Sequence, residues 1–149
     1  MAKSFLEFKG KGFMMNDTFT ELCLIYIINE IDKSEEIPDW LLALRNWWKF
    51  VSTGAIASSV ELKLDEYLIN EDRVNRLYNF IRLAQETVVK KGKYISVEEL
   101  NNYVDPTINS LWDTPLLTDK VTISLCYLGL LVNSQILHSS SDDKLVLYP

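Results

Sequence analysis

The chain is short of nearly every residue type that carries chemistry by itself. Its 149 residues include one histidine, His138, and two cysteines, Cys23 and Cys126. A small secreted domain stapled by disulfides carries more cysteines than that. A zinc site takes four nitrogen or sulfur ligands, or three and a water, and these three residues lie in separate segments. Both cysteines sit in apolar runs, where a reduced thiol behaves as a small hydrophobe, so both are expected as buried free thiols. With 5 Gly and 4 Pro there is little turn material, and no linker divides residues 1–149 into two domains. A long apolar run is missing as well. The longest uncharged stretch, Val121–Leu137, is interrupted by Thr122, Ser124, Asn133, Ser134 and Gln135, whereas a spanning helix needs about 20 predominantly apolar residues. Lys3, Glu7 and Lys9 stand where a signal peptide places its apolar core. The expectation is a soluble cytoplasmic protein with no membrane partner.

Basic residues are also in the minority. Lys and Arg number 15 against 21 Asp and Glu, a net charge of −6. Nucleic acid and anionic lipid reward a basic face, so neither is expected as a direct partner. What is abundant is apolar material, 48% of residues, which excludes a disordered tail.

That material is arranged mainly at helical spacing. Thr18 and Glu21 form a capping box ahead of a helix to Asp32 whose apolar residues cover nearly the whole circumference, as in a helix inside a bundle. Pro38 opens a second helix with Trp40, Leu41, Leu44, Trp47, Trp48 and Val51 on one arc. Three tryptophans on a face suit either a stacking platform or a core stripe, and the companion Leu44 and Val51 favour the core. A third helix is expected over Ser59–Leu68, capped by Ser58 with Glu61. Asn70 caps a fourth, Glu71–Lys91, closed by Gly92, with Val74, Leu77, Tyr78, Ile81, Ala84 and Val88 on its apolar arc. Ser96 and Glu99 start a short helix to Val104, stopped at Asp105-Pro106. A last helix, beginning between Pro115 and Thr118 and ending near His138, is apolar on both sides and is expected to be central. Leu145–Tyr148 reads either as a strand paired with Phe5–Phe8 or as a strap over the bundle. Phe8–Phe13, with its two glycines, reads as a mobile basic loop or turn. The fold class expected is all-α: a single-domain bundle of five to six helices with two buried central helices.

No catalytic set emerges. His138 falls at a helix C-terminus, where a cation satisfies terminal carbonyls, and no Walker loop, dinucleotide fingerprint or EF-hand occurs. Adjacent carboxylates such as Glu35/Glu36 and Asp65/Glu66 point about 100° apart on a helix and do not form an acid–base pair by themselves. Neither an enzyme nor a cofactor is expected.

The charge layout says more. Residues 1–15 carry a net +2, residues 16–72 a net −8, residues 73–93 a net +5 and residues 94–149 a net −5. An acidic chain thus carries one basic helix. Its Arg73 and Arg76 are expected to pair within the fold with Asp65, Glu66 or Glu71, contact with phosphates being the alternative. Leu42, Phe50, Phe80 and Leu83 fall on or beside polar faces, where they mark a binding surface or pack beneath the tail.

In size, acidity, helical build and lack of a catalytic set, the chain resembles the small bacterial immunity proteins of contact-dependent inhibition and polymorphic-toxin systems. The resemblance implies capture of a cognate toxin, a basic nuclease domain, by charge and shape complementarity. It makes Glu35, Glu36, Asp39, Asp65 and Glu66 the first candidates for toxin contact. The alternative is a non-enzymatic helical regulator or adaptor working through protein contacts.

Overall fold

A computed structural model describes residues 2–53 and 59–136 and the strand at 146–147. It corrects the all-α expectation at the outset, because the chain begins with a β-hairpin. Strands β1 (Lys3–Phe8) and β2 (Lys11–Asn16) pair antiparallel, with Lys3 opposite Asn16 and Phe8 opposite Lys11. Ser4, Leu6 and Phe8 are buried while Lys3, Phe5 and Glu7 are less covered, the two-residue alternation of a half-buried strand. Lys9 and Gly10 make the turn with φ of 53° and 78°, the type I′ geometry whose twist matches that of the flanking strands. The segment Phe8–Phe13 therefore takes the turn reading and not the mobile-loop one, with strand on either side of Lys9–Gly10. At Gly12 a Cβ would sit 1.9 Å from the Leu6 carbonyl oxygen, so the strand fits only with no side chain there.

Strand β5 (Val146–Leu147) lies parallel to β2, Val146 opposite Met14, giving the order β1-β2-β5. The tail strand thus pairs with β2 and not with Phe5–Phe8. A second, two-stranded sheet joins β3 (Tyr94–Ile95) to β4 (Leu116–Leu117). Together with the six helices among the described residues, these strands make the fold a mixed α/β one.

Helix α1 (Asp17–Asp32) is capped by Asn16, whose side-chain oxygen accepts from the amides of Thr18 and Phe19 at 2.9 and 3.3 Å. Thr18, expected as the cap, lies inside the helix. The apolar circumference read from the sequence is buried against α2 (Asp39–Ser52), α4 (Glu71–Val89) and α6 (Thr118–Val132). In α2, Leu41, Leu44, Trp48 and Val51 are buried, and the half-buried Trp40 and Trp47 pack against the core, so the stripe faces inward. The Trp48 indole donates to the Leu62 carbonyl at 2.9 Å and that of Trp47 to the Glu61 carbonyl at 2.7 Å.

Those two bonds explain why the expected helix over 59–68 shrinks to α3 (Leu64–Tyr67). The carbonyls of Glu61 and Leu62 are spent on indoles, the Val60 amide donates to Ser4 Oγ at 2.7 Å, and Lys63 takes φ of 57°. A helix there would need these groups for itself. Ser58 lies outside the described residues.

Helix α4 has its expected arc buried and its expected Asn70 cap, with Gly92 at φ 89° beyond its end. Helix α5 (Val97–Asn102) starts at the expected Ser96. Helix α6 stops at Val132, short of His138, which lies outside the described residues, as do Leu145 and Tyr148. Nor is α6 buried all round. Gly129 lets the Tyr78 ring of α4 come close, but Ile123 and Cys126 face outward. Only Cys23 is a buried thiol, correcting the expectation for Cys126. Among the described residues no helix is long and apolar enough to cross a membrane.

Candidate functional site

Two surfaces stand out, at opposite ends of the antiparallel pair α1 and α2. The first collects the acidic residues singled out from the sequence. Glu35 and Glu36 lie in the loop after α1, Asp39 is in the first turn of α2, and Asp65 and Glu66 are in α3. All five are exposed.

The segments carrying them are drawn together by two arginines of α4. Arg73 donates from Nη1 to the Tyr67 carbonyl at 3.0 Å, and its guanidinium lies 5.1 Å from the centroid of the Trp40 ring. Arg76 donates to the Glu36 carbonyl at 3.4 Å. The α1–α2 loop, the start of α2, the end of α3 and the start of α4 therefore meet at one place. The expected pairing of these arginines with carboxylates is not what forms: the hydrogen bond each makes is to a main-chain oxygen. Among the described residues, ion pairs include Lys33–Glu30, Arg45–Asp32, Arg82–Glu86 and Lys91–Glu99. None neutralises Glu35, Glu36, Asp39 or Glu66. Asp65 is engaged differently, accepting the Lys9 amide at 2.9 Å and so bracing the hairpin turn. Glu71 and Asp72 add two more exposed carboxylates at the start of α4.

Apolar residues are set among these charges. Ile69, between α3 and α4, is 66% exposed, and Leu42, one turn after Asp39, is also exposed. A desolvated apolar anchor inside a charged rim is the composition of a protein-binding patch. Phe50 and Leu83 are exposed too, whereas Phe80 is partly buried against the core.

The second surface is a cleft of about 350 Å³ at the other end. Its walls come from the N-terminal half of α1, from Ser52 at the end of α2, and from residues between Leu100 and Asp113. In the capping box expected at Thr18, Glu21 reaches back to the start of the helix. With Asn16 doing the capping, the Glu21 side chain lines this cleft instead. Its carboxyl is raised to about 7, first by burial and then by the neighbouring charge of Asp17. Such a group exchanges its proton near neutral pH. The signal available in the sequence was Asn16, a better cap than Thr18 and one that frees Glu21.

A hydrogen-bonded network backs the cleft. Tyr26 donates its hydroxyl to Glu99 Oε2, and Lys91 Nζ lies 2.9 Å from Glu99 Oε1. Burial and the Glu99 carboxylate push the Tyr26 phenol well above its ordinary value. The Tyr103 ring, a wall of the cleft, stands edge-on to Tyr26 with centroids 5.6 Å apart. No group of three or more His, Cys, Asp or Glu that could hold a metal ion occurs among the described residues.

Neither a family model, nor a curated protein, nor a solved structure matches the chain.

Proposed function

We propose that the chain is an immunity-type protein that captures and neutralises a basic toxin domain through its acidic end, acting in the cytoplasm and without catalysis. One observation carries the reading. Arg73 and Arg76 donate to the carbonyls of Tyr67 and Glu36 and, among the described residues, form no direct ion pair with a carboxylate, so the exposed Glu35, Glu36, Asp39, Asp65, Glu66, Glu71 and Asp72 outnumber the two guanidinium charges set among them. Carboxylates left without internal partners keep their field for an incoming protein. Opposite charge on the two partners raises the association rate by orders of magnitude. Ile69 and Leu42 supply apolar contact once the partners meet. Glu35, Glu36, Asp39 and Glu66 are the carboxylates offered to the partner. Asp65 contributes by fixing the hairpin turn beside them.

Co-expression with the product of the neighbouring gene tests the reading. The expected result is a complex that survives purification and relieves that product's toxicity. Absence of binding at micromolar concentration overturns it.

A further inference from the structure

The cleft at the far end from these carboxylates has its own chemistry. Glu21 and Asp113 are the charged residues lining it, and its other polar groups are neutral. Among the described residues, no Lys, Arg or His lines it. Tyr103 and Trp112 supply aromatic surface, while Leu22 and Ile25 supply aliphatic surface. We propose that this cleft binds an organic cation, an alkylammonium or guanidinium group on an aliphatic stem, with Glu21 as its counter-ion.

Four observations support this. The Glu21 carboxyl is partly buried, and among the described residues no hydrogen-bond donor and no cation reaches it. Burial and Asp17 instead hold it near 7, a state that an incoming cation would relieve. Asp17 offers no relief, since it carries the same charge and its Oδ1 accepts from Ser4 Oγ at 2.5 Å.

The walls are fixed before any ligand arrives. Asn101 clamps Trp112 from both sides, accepting its amide at 2.7 Å and donating to its carbonyl at 3.1 Å. Asn109 ties the same segment to the end of α2 by donating to the Thr53 carbonyl at 3.2 Å. A preformed site saves the ordering cost of binding.

The lining also selects the class of cation. Aromatic faces attract ammonium and guanidinium groups, and aliphatic walls suit a carbon stem. A hard metal ion wants six or more oxygens, and these walls are half apolar. Volume agrees as well, since about 350 Å³ lies within the range of small-ligand sites.

The source of the cation is either a free polyamine or a basic side chain of another protein. Titration of the full chain, followed by calorimetry and by the indole resonance of Trp112, decides both questions. The probes are spermidine, N-acetyl-arginine amide, and N-acetyl-citrulline amide as the uncharged isostere. The expected result is millimolar or tighter binding of a cationic probe, with at least tenfold weaker binding of the citrulline compound. Glu21→Gln and Asp113→Asn should each weaken the cation at least fivefold while leaving the circular dichroism spectrum unchanged. Tighter binding of spermidine assigns the site to free amines, and tighter binding of the arginine probe assigns it to side chains. Equal shifts from the arginine and citrulline probes, an unchanged affinity in Glu21→Gln, or no saturation by any cation at 20 mM overturn the proposal. Because no toxin enters this experiment and the acidic end is untouched, its failure leaves the proposed function standing, and the converse also holds.

Discussion

Arg73 donates to the Tyr67 carbonyl at 3.0 Å and lies against the Trp40 ring, so a single guanidinium joins the end of α3 to the start of α2. Loss of that group leaves a carbonyl unpaired and an indole uncovered. Arg73→Ala is expected to lower the unfolding free energy by about 1–2 kcal/mol, read by urea denaturation. Arg73→Lys should recover less than half, because an ammonium has neither the fork nor the plane of a guanidinium. Charge reversal at exposed Glu35 should stay within about 0.5 kcal/mol of the parent. This contrast separates what holds the acidic end together from what it presents.

The hairpin yields a prediction that distinguishes two glycines. Gly10 has φ of 78° with open space where a Cβ would be, so Gly10→Ala costs only the conformational strain, about 1 kcal/mol. Gly12 has the Leu6 carbonyl 1.9 Å from that position. Gly12→Ala forces main chain to move and should cost more than about 2 kcal/mol. Urea midpoints of the two variants give the order.

Glu21 links stability to pH. Its carboxyl is raised from 4.5 to about 7 in the folded chain, so the folded state holds a proton that the unfolded state releases. That contribution is complete below about pH 4.5 and is lost as the pH rises to about 7. The whole shift corresponds to about 3 kcal/mol, which remaining solvent contact reduces to about 1–2 kcal/mol. Glu21→Gln should therefore gain stability relative to the parent between pH 5 and 8, by that amount at pH 8. Denaturation curves across this range check the sign.

Thr118 is buried at the start of α6, and its hydroxyl has no hydrogen-bond partner among the described residues. An unpaired buried hydroxyl is costly, while an isosteric apolar group is not. Thr118→Val should raise the unfolding free energy by about 1 kcal/mol, measurable as a higher melting temperature.

Legibility in the sequence followed how local the determining interactions are. Helix α4 was readable almost to the residue, because its Asn70 cap, its 3.6-residue arc and Gly92 all act within the segment. The segment 59–68 was not, since Trp47, Trp48 and Ser4, all distant in sequence, take the backbone groups a helix would use. The hairpin was missed for a different reason. Its alternation is short, and Lys9 accepts a positive φ usually left to Asn or Gly. The five acidic candidates were legible as exposed charge. That Arg73 and Arg76 bond carbonyls and form no ion pair with those carboxylates depends on tertiary contacts. The cleft was hidden by one cap. Once Asn16 takes the role given to Thr18, Glu21 is free to line a cavity whose other wall lies some 80–90 residues away.

The proposed function rests on where the negative charge sits, and one comparison isolates location from total charge. The triple variant Glu35→Lys, Glu36→Lys, Asp39→Lys and the control Glu98→Lys, Asp113→Lys, Asp119→Lys reverse equal numbers of exposed carboxylates. The dissociation constant of each for the product of the neighbouring gene is measured at 150 mM salt. The expected loss is at least 100-fold for the first, about 3 kcal/mol, and less than 3-fold for the second. Equal losses in the two variants, or no loss in the first, would contradict it.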